Sequence, residues 1–377
     1  MYRHLYIHIP FCRSKCLYCD FYSIPRSEIP WDAFIDAVAR EASERGGESL
    51  SHPSTVYFGG GTPSLMPAQK AVSLLNRLQQ IFGSGAEEVT IELNPDDVTE
   101  DYVSTLRDGG FNRFSMGVQC FDDSCLRMMG RRHSASQAVK ACQILASKGS
   151  NVSIDLIFGL PNQSYEQWKN DVDTAVALKP QHVSCYSLML EEGTALTRLV
   201  DAGKLQPADE SLSADMYRYL QEALSNAGYI HYEISNYSLP GYHSRHNSAY
   251  WQSRPYLGLG PGAHSYDGNL LRSFNPSDTE GYLSRYTEGK TTSYSIAKEQ
   301  LTDLDLQHEY LLTRLRTARG ISLDNYASLF GKGALEKIRA QIERHLKTGA
   351  LIEKPNGRIR IPESEWLTSD SIISSLF

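Results

Sequence analysis

A chain of 377 residues, 41% hydrophobic and 21% charged, has an ordinary globular composition and is long enough for one large domain with a smaller companion. Its net charge of −7 excludes a global basic field that would draw in nucleic acid or acidic lipid. No apolar run reaches the roughly 18–20 residues of a membrane span and no signal peptide precedes the first strand pattern, so a cytoplasmic setting is expected.

The first pattern, Leu5-Tyr6-Ile7-His8-Ile9, reads as a strand that Pro10 breaks. Cys12, Cys16 and Cys19 follow at C-x3-C-x2-C spacing. A cubic iron–sulfur cluster usually takes four cysteines, so three on one loop leave one iron open to another ligand. A structural zinc site would want a fourth nearby Cys or His, and the next cysteine is Cys120. Three clustered cysteines cannot pair internally as disulfides. An oxygen-sensitive thiolate site also fits a reducing compartment. The unpatterned Cys120, Cys125, Cys142 and Cys185 read as buried free thiols.

Further strands are predicted at Thr55–Phe58, Val89–Leu93, Arg113–Val118, Val152–Phe158 and His182–Leu188. Amphipathic helices are predicted between them, at Trp31–Arg45, Ala68–Phe82, Ala135–Lys148 and Tyr165–Leu178. Repeated β-then-α units imply a parallel sheet with right-handed crossovers. An open six-stranded partial barrel, (β/α)6, fits best, with a doubly wound sheet as the alternative. In both, chemistry belongs at the carboxyl ends of the strands. The unusual residues fall there: the cysteine loop, Gly59-Gly60-Gly61-Thr62-Pro63-Ser64, Glu92-Leu93-Asn94-Pro95, Gly117-Val118-Gln119, Asp155 ahead of Phe158-Gly159-Leu160-Pro161, and Met189.

Beyond residue 200 a helix near Ala214–Ala227 and a strand at Ile230–Ile234 precede a loop rich in aromatics and glycines, Tyr242–Trp251 and then Gly258–His264. From about residue 301, three helix patterns and a hairpin with an Asn356-Gly357 turn suggest a small winged-helix-like α+β domain. That segment carries 11 Lys/Arg and 10 Asp/Glu, too balanced for a phosphate footprint, so no nucleic-acid partner is expected. The expected divisions are a core over 1–230, a connecting region over 231–300 and the small domain over 301–377.

The glycine run admits close backbone approach to a ligand. A phosphate loop would need Gly-Lys-Ser/Thr, and this run has Thr62-Pro63. Glu92 and Asp155 are placed to accept hydrogen bonds from hydroxyls or an amine. Arg131 can hold a carboxylate in its bidentate fork.

These strings, with Tyr6-Ile7-His8-Ile9-Pro10-Phe11-Cys12 and Cys19-Asp20-Phe21, resemble the radical S-adenosylmethionine (radical SAM) family, in its coproporphyrinogen dehydrogenase-like branch. The dehydrogenases have a further cysteine where this chain has Phe21. The heme-chaperone group has Cys-Asp-Phe there and a His-Asn-x-x-Tyr-Trp motif, here His246-Asn247-Ser248-Ala249-Tyr250-Trp251. Both features resemble the chaperone group.

The resemblance implies a [4Fe–4S] cluster on Cys12, Cys16 and Cys19. Its open iron would bind the amino and carboxylate groups of SAM, and a cluster electron would release a 5'-deoxyadenosyl radical. It places Tyr6, Gly60 and Glu92 around that SAM. It places Tyr18, Gly61, Thr62, Gln119, Arg131, Asp155 and Met189 at positions that line a second SAM site in the dehydrogenases. It makes His246, Asn247, Tyr250 and Trp251 heme-binding candidates, since an imidazole ligates heme iron and aromatics pack on a porphyrin. His243 and His264 compete, and a lone loop histidine is otherwise a hydrogen-bonded residue. The implied partners are heme, apo-hemoprotein acceptors and an electron donor, with peripheral membrane association and a homodimer left open. The rival functions are coproporphyrinogen III dehydrogenation by oxidative decarboxylation and a SAM- or redox-responsive regulatory module.

Overall fold

The computed structural model describes residues 2–46, 50–288 and 294–377. In chain order the strands are β1 (Tyr2–Ile9), β2 (Phe11–Cys12), β3 (Ile24–Pro25), β4 (Leu50–Gly60), β5 (Glu88–Leu93), β6 (Arg113–Gln119), β7 (Asn151–Phe158) and β8 (His182–Ser187). There follow β9 (Ile230–Glu233), β10 (Asn236–Ser238), β11 (Tyr256–Leu259), β12 (His264–Tyr266), β13 (Leu271–Phe274) and β14 (Ala297–Gln300). Strands β1, β4, β5, β6, β7 and β8 pair in that order, all parallel, and β1 and β8 do not close on each other. This is the expected partial (β/α)6 barrel.

Period-two alternation sorts the side chains of the barrel wall. On β1, Leu5, Ile7 and Ile9 are fully buried in the core beneath the outer helices. Val56 and Phe58, Val89 and Ile91, Phe114 and Met116, Ile154 and Leu156 continue that apolar layer. Each such side chain contributes about 1.5–3 kcal/mol when withdrawn from water. The alternate residues are polar: His4, Tyr6 and His8, then Thr55 and Tyr57, Thr90 and Glu92, Arg113 and Ser115, Ser153 and Asp155, His182 and Ser184. A closed barrel is packed inside with branched apolar side chains. This open one is polar inside.

The strands of the segment 231–300 add to the sheet; its residues 289–293 lie outside the described residues. Among the described residues the sheet has twelve strands, in the order β14-β13-β12-β11-β1-β4-β5-β6-β7-β8-β10-β9. Strand β11 pairs parallel to β1, and β10 antiparallel to β8, so the addition extends both edges. The β1 side is bolted on by Glu41, buried in the helix Trp31–Arg45, which accepts from the Gly260 amide, Tyr282 Oη and Asn275 Nδ2, each at 2.8 Å.

Residues 301–377 have the expected order: helices Asp303–Leu315, Leu323–Phe330 and Lys332–Thr348, then the hairpin β15 (Ile352–Glu353) and β16 (Ile359–Arg360). A terminal helix, Ser369–Ser374, completes the segment. Residues 316–318 dock on the β9 edge through the Glu233–Thr317 bridge, with Ile234 N–H donating to Arg316 O (2.9 Å) and Ala318 N–H to Tyr232 O (3.0 Å). No described helix is long and apolar enough to cross a membrane.

Candidate functional site

At the carboxyl end of β1, Pro10 turns the chain into the cysteine loop. The loop is pinned by main-chain bonds on several sides. Ile24 N–H donates to Pro10 O (2.7 Å), Thr62 N–H to Phe11 O (2.8 Å) and Leu17 N–H to Met129 O (3.0 Å). Cys12 is buried, Cys16 and Cys19 are half-buried, and all three thiols are free. Thr62 Oγ1 donates to Cys12 Sγ at 3.3 Å, and Arg131 Nη1 to Cys16 Sγ at 3.5 Å. Among the described residues no three His, Cys, Asp or Glu side chains converge as a single-ion site requires. Three free thiols on one pinned loop are a donor set suited to a larger, thiolate-ligated cluster. Burial pushes the Cys12 and Cys19 thiols up, so metal loading has to displace protons there.

The glycine run closes over this loop. Gly60 has φ +118°, and a Cβ there would stand 2.8 Å from the His8 ring. A Cβ on Gly61 would stand 2.8 Å from Phe11 O and 3.0 Å from Cys12 Sγ.

Beneath lies a cavity of ≈ 510 Å³ running from the cysteine loop into the barrel. Of the expected residues, Cys12, Cys16, Cys19, Tyr18, Gly60, Gly61, Thr62, Glu92, Gln119, Arg131, Asp155, Met189 and Asn247 line it. Tyr6 does not: it stands behind Tyr57, with ring centroids 6.1 Å apart, and its hydroxyl meets His8 Nδ1 at 3.0 Å. Met189 and Phe21 are largely exposed at the mouth.

Glu92 accepts from Tyr57 Oη at 2.8 Å and from the Gly60 amide at 3.1 Å. Burial pushes its carboxyl up to about 7, against both of these bonds. Asp155 is pushed up to about 6 by burial, while Ser184, Arg113 and Ser115 hold it down. Both carboxyls thus change charge near neutral pH and serve as acceptor or donor. Arg131 Nη2 donates to Gly117 O at 2.7 Å and to Asn94 Oδ1. Its Nε is buried without a partner among the described residues. The neighbouring Arg132 pairs with Asp96 and Asp97 at 3.2 and 3.3 Å. Asn94, in the predicted strand-end run, also lines the cavity, as do Tyr57, Arg113, Ser115 and Ser184, which no motif singles out. Strand parity with Glu92 and Asp155 was the signal available.

The His-Asn-x-x-Tyr-Trp segment departs most from expectation. It is no loop but the helix Arg245–Trp251, capped by Ser244, which accepts from Asn247 N–H. The Glu88 carboxylate receives the Arg245 and His246 amides, both at 2.9 Å. Thr55, which His246 touches, lies five residues before Gly60, or about 16 Å of strand away from the cysteine end. The helix therefore floors the barrel.

His246 is 1% exposed. Its Nδ1 meets Thr55 Oγ1 at 2.7 Å and its Nε2 meets Tyr250 Oη at 2.8 Å. Burial pushes it down to about 3, so it is neutral. With both nitrogens engaged inside the protein, it offers no lone pair to a heme iron in this conformation. Tyr250 packs inward against His246, centroids 5.0 Å apart, and Trp251 meets the buried Glu233 carboxylate. Only Asn247 of the four reaches the cavity. His243 and His264 are exposed, stacked on Tyr232 and Phe274 respectively.

Residues 6–175 match the model of the radical SAM superfamily. The heme chaperone HemW of Lactococcus lactis is 35% identical over 361 residues, covering 95% of this chain and 93% of that protein. HemW of Escherichia coli K12 is 32% identical, covering 93% of this chain and 91% of its own length. The structure of the E. coli radical SAM enzyme coproporphyrinogen III oxidase, HemN, aligns with a TM-score of 0.82 over 99% of this chain and 89% of its own, at 22% identity, a likeness of fold. Radical SAM membership implies a [4Fe–4S] cluster and SAM. With similarity to heme chaperones from one end of the barrel through the C-terminal segment, the chain belongs to the HemW family of radical SAM proteins.

Proposed function

We propose that this chain is a heme chaperone that binds heme and delivers it to apo-hemoproteins. A [4Fe–4S] cluster is held by Cys12, Cys16 and Cys19, and SAM occupies the barrel cavity against Gly60, Gly61 and Glu92. When bound there and reduced by an electron donor, the cluster would supply one-electron chemistry toward SAM. Similarity to HemW proteins over more than nine-tenths of the chain carries this reading. Phe21, in place of a further cysteine, supports it against a dehydrogenase role.

Heme takes its axial ligand from an exposed imidazole, for which His243 and His264 are suited. Heme titration of anaerobically purified protein should give a saturable Soret change at one heme per chain. His243→Ala or His264→Ala should alter that spectrum. Incubation with coproporphyrinogen III, SAM and a reductant should leave the porphyrinogen unchanged; catalytic formation of protoporphyrinogen IX would refute the chaperone reading.

A further inference from the structure

The contacts of the floor helix lead upward. His246 stacks on Tyr57, ring centroids 4.9 Å apart and planes 28° apart. Tyr57 Oη donates to Glu92 Oε1 at 2.8 Å, and Glu92 Oε2 accepts the Gly60 amide at 3.1 Å. We infer that His246 is a positioning residue of the SAM chamber: it fixes the Tyr57 ring, and Tyr57 aims the Glu92 carboxylate into the cavity. The inference rests on the reading of that cavity as the SAM site.

Two bonds at opposite ring nitrogens, to Thr55 and Tyr250, keep the imidazole from turning. The Thr55 hydroxyl is itself held by His4 Nδ1 at 2.9 Å. The Glu88 carboxylate anchors the main chain at His246. The imidazole is thus a fixed plane against which one face of Tyr57 rests. Without it Tyr57 gains room to turn, and the Glu92 oxygen it holds is released. Glu92 can then meet a ligand amine or hydroxyl only after paying rotamer entropy that the native contacts have already removed. Asn247, the next residue of the same helix, reaches the cavity directly and ties the helix position to the chamber floor.

The test uses full-length protein with its cluster reconstituted anaerobically. SAM affinity is measured by equilibrium dialysis, and the EPR spectrum of the reduced cluster is recorded with and without SAM. Tyr57→Phe removes one hydroxyl and keeps the ring. It should bind SAM about tenfold more weakly, as expected for a lost bond to a charged group, with iron content unchanged. His246→Ala should weaken SAM binding at least as much and alter the SAM-induced EPR change, while the heme Soret band stays as in the wild type. His246→Phe, which retains a stacking ring, should recover part of the affinity.

If wild-type protein binds SAM, and Tyr57→Phe and His246→Ala bind it equally well with the same EPR change, the positioning role is refuted. Loss of the heme spectrum in His246→Ala with SAM affinity intact would refute it as well. If wild-type protein itself shows no SAM-dependent change, the SAM-chamber reading fails first. Should His246→Ala not fold, His246→Phe takes its place, and wild-type SAM affinity and EPR change in both it and Tyr57→Phe refute the role.

Discussion

Glu233 lies fully buried where the barrel edge meets the C-terminal segment, and burial pushes its carboxyl up to about 8. It accepts from the Ser235 amide at 3.1 Å and from Asn236 Nδ2. Asn236 Oδ1 is buried without a partner among the described residues. The fold therefore favours the neutral acid. Its stabilising preference is fully present below the ordinary glutamate value of 4.5 and is lost as pH rises through about 8. Glu233→Gln should match the native chain below pH 5 and exceed it above pH 8 by on the order of a few kcal/mol in urea titrations. An equal offset at both pH values would mean that Glu233 titrates normally. Gly61→Ala, whose methyl would crowd Cys12 Sγ and Phe11 O, should lose most of the iron that reconstituted wild-type protein takes up, measured per chain. At this scale the cysteines were legible because their chemistry is set by spacing along a single loop. His246 was not, because its partners Thr55 and Glu88 lie 191 and 158 residues away.

Among elements, the helix Arg245–Trp251 is too short to persist by itself. Its start is fixed by Ser244 and by the Glu88 carboxylate from the neighbouring strand. Ser244→Ala should cost about 1 kcal/mol, the usual worth of such a cap. Glu88→Ala should cost more, since it strips two amides of their acceptor, that of His246 fully buried and that of Arg245 half-buried. No loss in urea titration from Glu88→Ala would show that the carboxylate adds nothing to the cap. The helices Trp31–Arg45, Ala68–Phe82 and Tyr165–Leu178 have their expected bounds because their amphipathic periodicity is local. The helix Glu100–Asp108 escaped notice: it is short, and only Val103 and Leu106 are buried. Gly258, in a glycine-rich run that suggests a loop, lies in β11, where a Cβ would stand 2.1 Å from His264 O. The glycine there permits close strand packing rather than a turn.

At the scale of the whole molecule, strand–helix repetition made the barrel legible, whereas the edge extensions depend on pairing between strands far apart in sequence. Strand β11 joins β1 across roughly 250 residues, with Leu5 opposite Leu257, and no local pattern announces that. The edge strand β9 is covered by residues 316–318, so the C-terminal segment also blocks a site of edge-to-edge pairing. A chain ending at residue 300 should aggregate in size-exclusion chromatography where the full chain does not. A soluble monomer from that fragment would show that the core does not need its cover. The heme-chaperone role itself is tested most directly by loading the full-length, cluster-containing protein with heme and mixing it with apomyoglobin. Following the Soret band anaerobically, one heme per chain should pass to the acceptor faster than heme leaves the loaded protein alone. Failure to bind heme saturably, or failure to hand it over, would contradict the proposed function.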